Sequence, residues 1–135
     1  MLKPITVFAL LTAAAQAAAA TGWTKTSDKG IELHQIAADH VQVTIVCDPN
    51  GVWEPAEFHM TIKVGGAAIP AGKASISSGE ATADLQVYDG GNIVKTDTWP
   101  ELMAVFQSNE EKHLAYGNQA VNFVIPAFTA DCLPK

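Results

Sequence analysis

The sequence contains no arginine. Its eight basic residues are all lysines, against fourteen acidic residues, so the formal net charge at neutral pH is -6. Duplex nucleic acid needs a basic face for its phosphates, so this charge argues against a nucleic-acid partner. The same acidity disfavours a stable electrostatic attachment to anionic lipid. Hydrophobic residues make up 48% of the chain and charged residues only 16%, which excludes an intrinsically disordered protein.

Long hydrophobic runs are lacking except at the N-terminus. There, Lys3 supplies one positive charge, residues 5–15 are apolar apart from two threonines, and three alanines at 18–20 are typical of a signal-peptidase site. The run is too short to span a bilayer. We therefore predict a secretory signal peptide at residues 1–20 and a single β domain at residues 21–135, in a periplasmic or secreted protein without a stable membrane anchor. The alternative, an N-terminal helix of the domain, has neither a cap nor a polar face.

Cysteine is also scarce, with only Cys47 and Cys132 in the chain. In an oxidising compartment an isolated pair usually forms one disulfide. We predict that bridge, which would tie an early strand to the C-terminus. Closing so long a loop contributes about 4 to 5 kcal/mol in the chain-entropy model. The alternative is a thiol metal site or redox pair, but no C-x-x-C motif or neighbouring histidine indicates one.

The chain is rich in alternating apolar and polar residues, the two-residue period of a half-buried strand. The alternation is clearest at residues 41–47, 58–64, 81–88 and 121–125, and Val46 is the exception on the polar face of the first. Turn signals separate these stretches, among them residues 48–51 (Asp-Pro-Asn-Gly) and 89–92 (Asp-Gly-Gly-Asn). We predict an all-β fold, an antiparallel sandwich or a partly open barrel of about eight strands closed by the disulfide.

One segment, Trp99 to Gln107, has helical spacing instead. Leu102, Val105 and Phe106 form an apolar stripe at i, i+3 and i+4. Thr98 and Glu101 have the spacing of a capping box. The sequence therefore predicts one short helix within the β domain.

The residues that carry chemistry form no recognised catalytic motif. A G-x-S-x-G nucleophile elbow is absent from the sequence, and residues 75–79 are interpreted as a strand that runs into a polar turn. The histidines lack the spacing that places two metal ligands on one face, so we interpret them as surface imidazoles: His34, His40, His59 and His113. Glu110 and Glu111 are interpreted as part of a solvated turn. We predict no enzyme activity, no catalytic residue, no metal and no cofactor.

The loop from Asp48 to Phe58 is the best candidate for a binding site. It places Trp53 between Pro49 and Pro55, with Glu54 and Glu57 beside it. A tryptophan on a rigid loop is a common anchor for a partner surface. The alternative is that Trp53 folds back and covers one end of the domain. We predict Trp53, Glu54 and Glu57 as binding residues, while Trp23 and Trp99 are predicted to be structural.

Part of the chain resembles a known family. The similar parts are the signal, residues 85–91, the helical segment 102–106 and the closing strand 121–125 that leads into residues 128–130. In these parts the chain resembles invasion-associated locus B type exported β-sandwich proteins of Gram-negative bacteria. That family usually has more cysteines, placed mid-chain. The resemblance implies a non-enzymatic exported sandwich and supplies no catalytic residues.

Together these observations predict an exported, non-catalytic protein-interaction or accessory module of the bacterial envelope, with a protein partner. The first alternative is a periplasmic protein that binds a small ligand at a sandwich edge or barrel mouth, or a metal such as Cu or Zn through His59, Glu57 and a histidine from a neighbouring strand. The second is a hydrolase of envelope polymers, for which only the compartment argues.

Overall fold

The computed structural model describes residues 22–48, 52, 59–94 and 99–130. Ten strands and one α-helix lie in these ranges. The strands are β1 (Thr24–Asp28), β2 (Ile31–Ala38), β3 (Val41–Cys47), β4 (His59–Val64), β5 (Ala67–Ala68), β6 (Gly72–Ser78), β7 (Ala81–Val87), β8 (Asn92–Val94), β9 (Lys112–Tyr116) and β10 (Gln119–Phe123). The helix, α1, is Trp99–Gln107, and a 3-10 turn at Asp89–Gly91 joins β7 to β8.

All ten strands belong to one antiparallel sheet. Its order is β1-β2-β3-β4-β8-β7-β6-β9-β10, and β5 pairs with β4 beside this path. Among the described strands, β1 and β10 do not pair with each other, so the sheet is not closed. The all-β class and the single helix are confirmed, while the expected number of about eight strands is too low. Two of the ten strands have no apolar face to reveal them in the sequence, since β1 is exposed along its whole length and β5 has only two residues.

Two-residue turns set the register of five hairpins in the described residues. The paired residues that flank these turns are Asp28 and Ile31, Ala38 and Val41, Val64 and Ala67, Ser78 and Ala81, and Tyr116 and Gln119. The β1–β2 turn has positive φ at both positions, 53° at Lys29 and 87° at Gly30. Positive φ at both central residues is the type I′ geometry, whose twist matches that of the flanking strands. This tight closure fixes which backbone groups of β1 face β2 and which face away.

The core consists of the inward faces of the strands together with α1. The predicted stripe of Leu102, Val105 and Phe106 is buried, and Trp99 is fully buried as well. The helix packs against β6 and β7. Both the span of α1 and its buried face match the sequence prediction; Thr98, the predicted cap, lies outside the described residues.

The N-terminal and C-terminal segments meet at one end of the core. The Trp23 ring lies 4.9 Å from the Phe128 ring, and its Nε1–H donates to the carbonyl oxygen of Pro126 at 2.9 Å. The amide of Phe128 in turn donates to the carbonyl of Phe106 at the end of α1. The structural role expected for Trp23 is therefore confirmed.

In the described ranges, no helix is both long enough and apolar enough to cross a bilayer.

Candidate functional site

The described part of the loop after β3 is held at its base by Asp48. This carboxylate is buried, and its Oδ1 accepts the backbone N–H of Val52 at 2.7 Å. Val52 itself is 50% exposed, which is high for a branched apolar side chain. The predicted binding residues Trp53, Glu54 and Glu57 lie outside the described residues.

Val52 forms one wall of a groove on the outer face of the β1–β2 hairpin. Thr26 faces Leu33 across the two strands, and Asp28 faces Ile31, so these four side chains share one face. With Val52 and Lys29 they line a cavity of about 380 Å³, which we name the hairpin groove. Its floor is apolar, and Asp28 and Lys29 place one charge of each sign at its rim.

The apolar floor departs from the usual pattern of a strand with one face in water. Ile31 and Leu33 alternate with the inward residues of β2 and stay half-buried, and Val46, the partner of Leu33 on β3, is half-buried on the same face. Val46 is the residue that breaks the polar alternation of β3. Val46 is therefore a sequence signal of an apolar outer surface, but this surface is recognised only through the pairing of Leu33 with Val46.

On the inner face of the same hairpin, His34 is buried among aromatic and charged groups. Its Nε2 lies 3.1 Å from Glu32 Oε1, and Lys25 Nζ lies 3.6 Å from the other carboxylate oxygen of Glu32. The Phe128 ring packs edge-on against the imidazole at a centroid distance of 5.0 Å. The interpretation of His34 as a surface imidazole was wrong, because the fold brings residues from the far end of the chain over it.

A second buried polar cluster joins α1 to the sheet. Lys112 is the inward residue at the start of β9, opposite Ser78 at the end of β6, and both are buried. The Nζ of Lys112 donates to the carbonyls of Ser108 and Glu110 at 2.7 and 2.8 Å, and to Ser78 Oγ at 3.2 Å. Burial lowers the pKa of Lys112 from 10.5, and the nearby charge of Glu110 partly offsets this.

This lysine, next to a serine, has the residue types of a nucleophile and its base. Its geometry, however, supports a structural role. All three ammonium hydrogens of Lys112 have acceptors, and two of these are carbonyls just beyond the end of α1, where a positive charge also interacts favourably with the helix dipole. The exposed Glu110 and Glu111 match the predicted solvated turn, but the burial of Lys112 beside them was not expected.

Cys47 is fully buried at the end of β3, opposite Glu32 on β2. Cys132 lies outside the described residues, so the pairing of the two cysteines stays a prediction.

For metal binding, the described residues contain no group of three or more His, Cys, Asp and Glu side chains close enough to hold an ion. His59 is half-buried on β4, and Met60 next to it is fully buried on the opposite face, as the alternation predicted.

The chain matches no protein-family description, no curated protein and no solved structure. The resemblance to invasion-associated locus B type proteins accordingly stays a prediction.

Proposed function

We propose that the protein is an exported, non-catalytic protein-interaction module of the bacterial envelope, and that the hairpin groove is the described part of its binding surface. The observation that carries the proposal is the apolar floor of this groove on an otherwise polar outer face, with a half-exposed valine at its wall. Large apolar side chains that remain in contact with water are typical of interaction sites. Full burial of one Leu or Val side chain on binding contributes about 1.5 to 3 kcal/mol.

The loop after β3 extends this surface in the proposal. Val52 lines the groove, and Trp53 is the next residue along the chain, so an aromatic anchor follows directly after an apolar wall. Glu54 and Glu57 would supply polar contacts around that anchor. Aromatic anchors beside smaller apolar residues are the usual composition of an interface hot spot.

We also propose two features of the fold that support this function, a disulfide and a two-layer arrangement. A Cys47–Cys132 disulfide would tie the C-terminus to the residue that precedes Asp48, the anchor of the loop. The open sheet would fold over α1 as a two-layer sandwich, leaving the outer face of the hairpin in solvent.

The second candidate function is the binding of a small ligand in the same groove. Its volume of about 380 Å³ falls at the lower end of the range of known ligand pockets, about 300 to 1,000 Å³. A ligand of this kind would be mainly apolar, with one polar group near Lys29 or Asp28. Native mass spectrometry of the purified protein distinguishes this candidate, since a retained small molecule would displace the protein-partner proposal.

The test of the main proposal is crosslinked capture from envelope extract with a charge placed in the groove. Leu33→Lys puts an ammonium group on the apolar floor and should abolish retention of a stoichiometric partner. Tyr88→Lys is the matched control, because Tyr88 is 50% exposed but does not line the groove. Trp53→Ala tests the loop in the same assay. Equal capture by wild type and folded Leu33→Lys protein would refute the groove as the binding surface.

A further inference from the structure

The hydrogen-bonding pattern of β1 follows from its turn. In a two-residue hairpin the residues that flank the turn form a hydrogen-bonded pair, and the pairs then alternate along the ladder. Asp28 and Ile31 flank this turn, so the backbone groups of Thr26 and Asp28 point to β2. Those of Lys25 and Ser27 point to the opposite edge. No strand pairs with that edge among the described residues.

The free edge of β1 is accessible to solvent along its whole length. All five residues of β1 are exposed. The ammonium group of Lys25 lies 3.6 Å from Glu32 on the inner face of the neighbouring strand, so the lysine side chain is on the opposite face from the hairpin groove. The N–H and C=O groups of Lys25 and Ser27 therefore face solvent as a ready template for another strand.

The hairpin groove lies directly beside this edge. A strand added to β1 alternates its side chains as β1 does, so the residue opposite Thr26 points to the outer face. Thr26 is short and lines the groove. A Leu, Ile or Phe side chain on the added strand can lean across Thr26 onto the apolar floor formed by Ile31 and Leu33.

From these contacts we propose that the partner is an extended polypeptide segment that adds to β1 as a further strand and places an apolar side chain in the hairpin groove. The backbone edge specifies a strand, and the groove specifies an apolar residue at one position. The net charge of -6 favours a neutral or basic segment and repels an acidic one. This inference rests on the proposed function and names the class of partner that the site accepts.

The first experiment uses a capped synthetic peptide of alternating Thr and Leu with Lys at each end as the probe. Backbone amide exchange of the full mature protein is followed by NMR. Peptide binding should slow exchange at Lys25 and Ser27 by about tenfold or more, because their N–H groups gain acceptors. Thr26 and Asp28, which already bond to β2, should change little. Saturable binding without protection at Lys25 and Ser27 would overturn the proposal.

The second experiment removes one outward donor without touching the ladder to β2. Ser27→Pro lacks the N–H that would face the peptide, and proline is tolerated where a strand N–H faces solvent. We expect it to weaken peptide binding about tenfold or more, the loss of roughly one good hydrogen bond. Ser27→Ala keeps the backbone donor and is the matched control, expected to bind as wild type does. Equal binding by folded Ser27→Pro and wild type would contradict the proposal.

The two proposals fail in different ways. If Leu33→Lys loses the envelope partner while Ser27→Pro keeps it, the interaction function stands and the strand-addition inference falls. If protein without peptide shows concentration-dependent protection of Lys25 and Ser27 together with a dimer in sedimentation, the occupant is a second copy and the assignment of a separate partner is overturned.

Discussion

Replacing Lys112 with methionine tests how the helix is attached to the sheet. Methionine preserves most of the length and apolar contact of the lysine stem and removes only the ammonium group. In the native structure that group donates three hydrogen bonds, a buried one to Ser78 and two partly buried ones to the carbonyls of Ser108 and Glu110. The variant therefore isolates the contribution of these bonds from that of packing.

The expected loss in the free energy of unfolding depends on which hydrogen bonds each acceptor retains in the variant. The carbonyl of Glu110 also accepts from Ser78 Oγ at 2.9 Å, so it retains a donor in the variant. The partly buried carbonyl of Ser108 loses its bond to the ammonium, a cost at the lower end of the about 1 to 3 kcal/mol for an unsatisfied buried carbonyl. The two other bonds add to this loss, whereas the methionine avoids the desolvation cost of the buried charge. We expect a net destabilisation of about 2 to 3 kcal/mol.

Urea unfolding at neutral pH, followed by circular dichroism, measures this effect. A loss of this size lowers the urea midpoint by about 1 to 2 M at an unchanged slope. Lys73→Met is the matched control, because Lys73 is exposed on β6, and its midpoint should stay near that of wild type. If Lys112→Met also unfolds at the wild-type midpoint, the cluster contributes nothing to stability and the reasoning is refuted.

Three further predictions concern stability. Burial lowers the pKa of Lys112 below 10.5, so the unfolded chain still holds the proton at pH values where the native protein has lost it. The free energy of unfolding of wild type should therefore rise with pH towards 10.5, and that of Lys112→Met should lack this rise; parallel pH curves for the two proteins would contradict this. Gly91→Ala should cost more than Gly117→Ala in urea unfolding, since both glycines have positive φ but only at position 91 does an added Cβ meet another residue closely, the Cβ of Ala68 at 2.8 Å; equal losses would exclude that contact. Trp23→Phe keeps a ring against Phe128 but loses the bond to Pro126, so thermal unfolding should show a loss of about 1 kcal/mol, and an unchanged melting temperature would assign the contribution of Trp23 to packing alone.

Much of the local structure could be predicted because its signals are local. The alternation of residues 41–47 reproduces the span of β3, and the helical stripe reproduces that of α1. The glycine-rich segment 89–92 does connect two paired strands, through a 3-10 turn. In each case the period of apolar residues reflects which side of one element faces the core, and this requires no knowledge of the neighbouring elements.

Burial of polar residues could not be predicted in the same way. Lys112 follows Glu110 and Glu111 in a stretch with the composition of a solvated turn, and a single histidine such as His34 carries no local signal of burial. His34 is covered by Phe128, and Lys112 meets Ser78, so each is enclosed by residues distant in the chain. Whether a charged or polar group finds enough hydrogen-bond partners to be buried is a property of the assembled core.

The candidate site also has one part that is predictable from the sequence and one part that depends on the fold. The sequence alone predicts a binding loop with Trp53, Glu54 and Glu57, and it shows Val46 as an irregularity in the alternation of β3. The hairpin groove required the structure, because Ile31, Leu33 and Val52 become one surface only through the register of β1, β2 and β3 and the bond from Asp48 to Val52.

The strand periodicity, the helix and several turns follow from the order of neighbouring residues and are already present in the sequence. The pairing of β4 with β8 and of β6 with β9 depends on the whole fold, as do the burial of Lys112 and the edge of β1 that no described strand covers. The physical reason is that all strands offer the same backbone donors and acceptors. Which edges join therefore depends on how the apolar faces of the whole chain pack together.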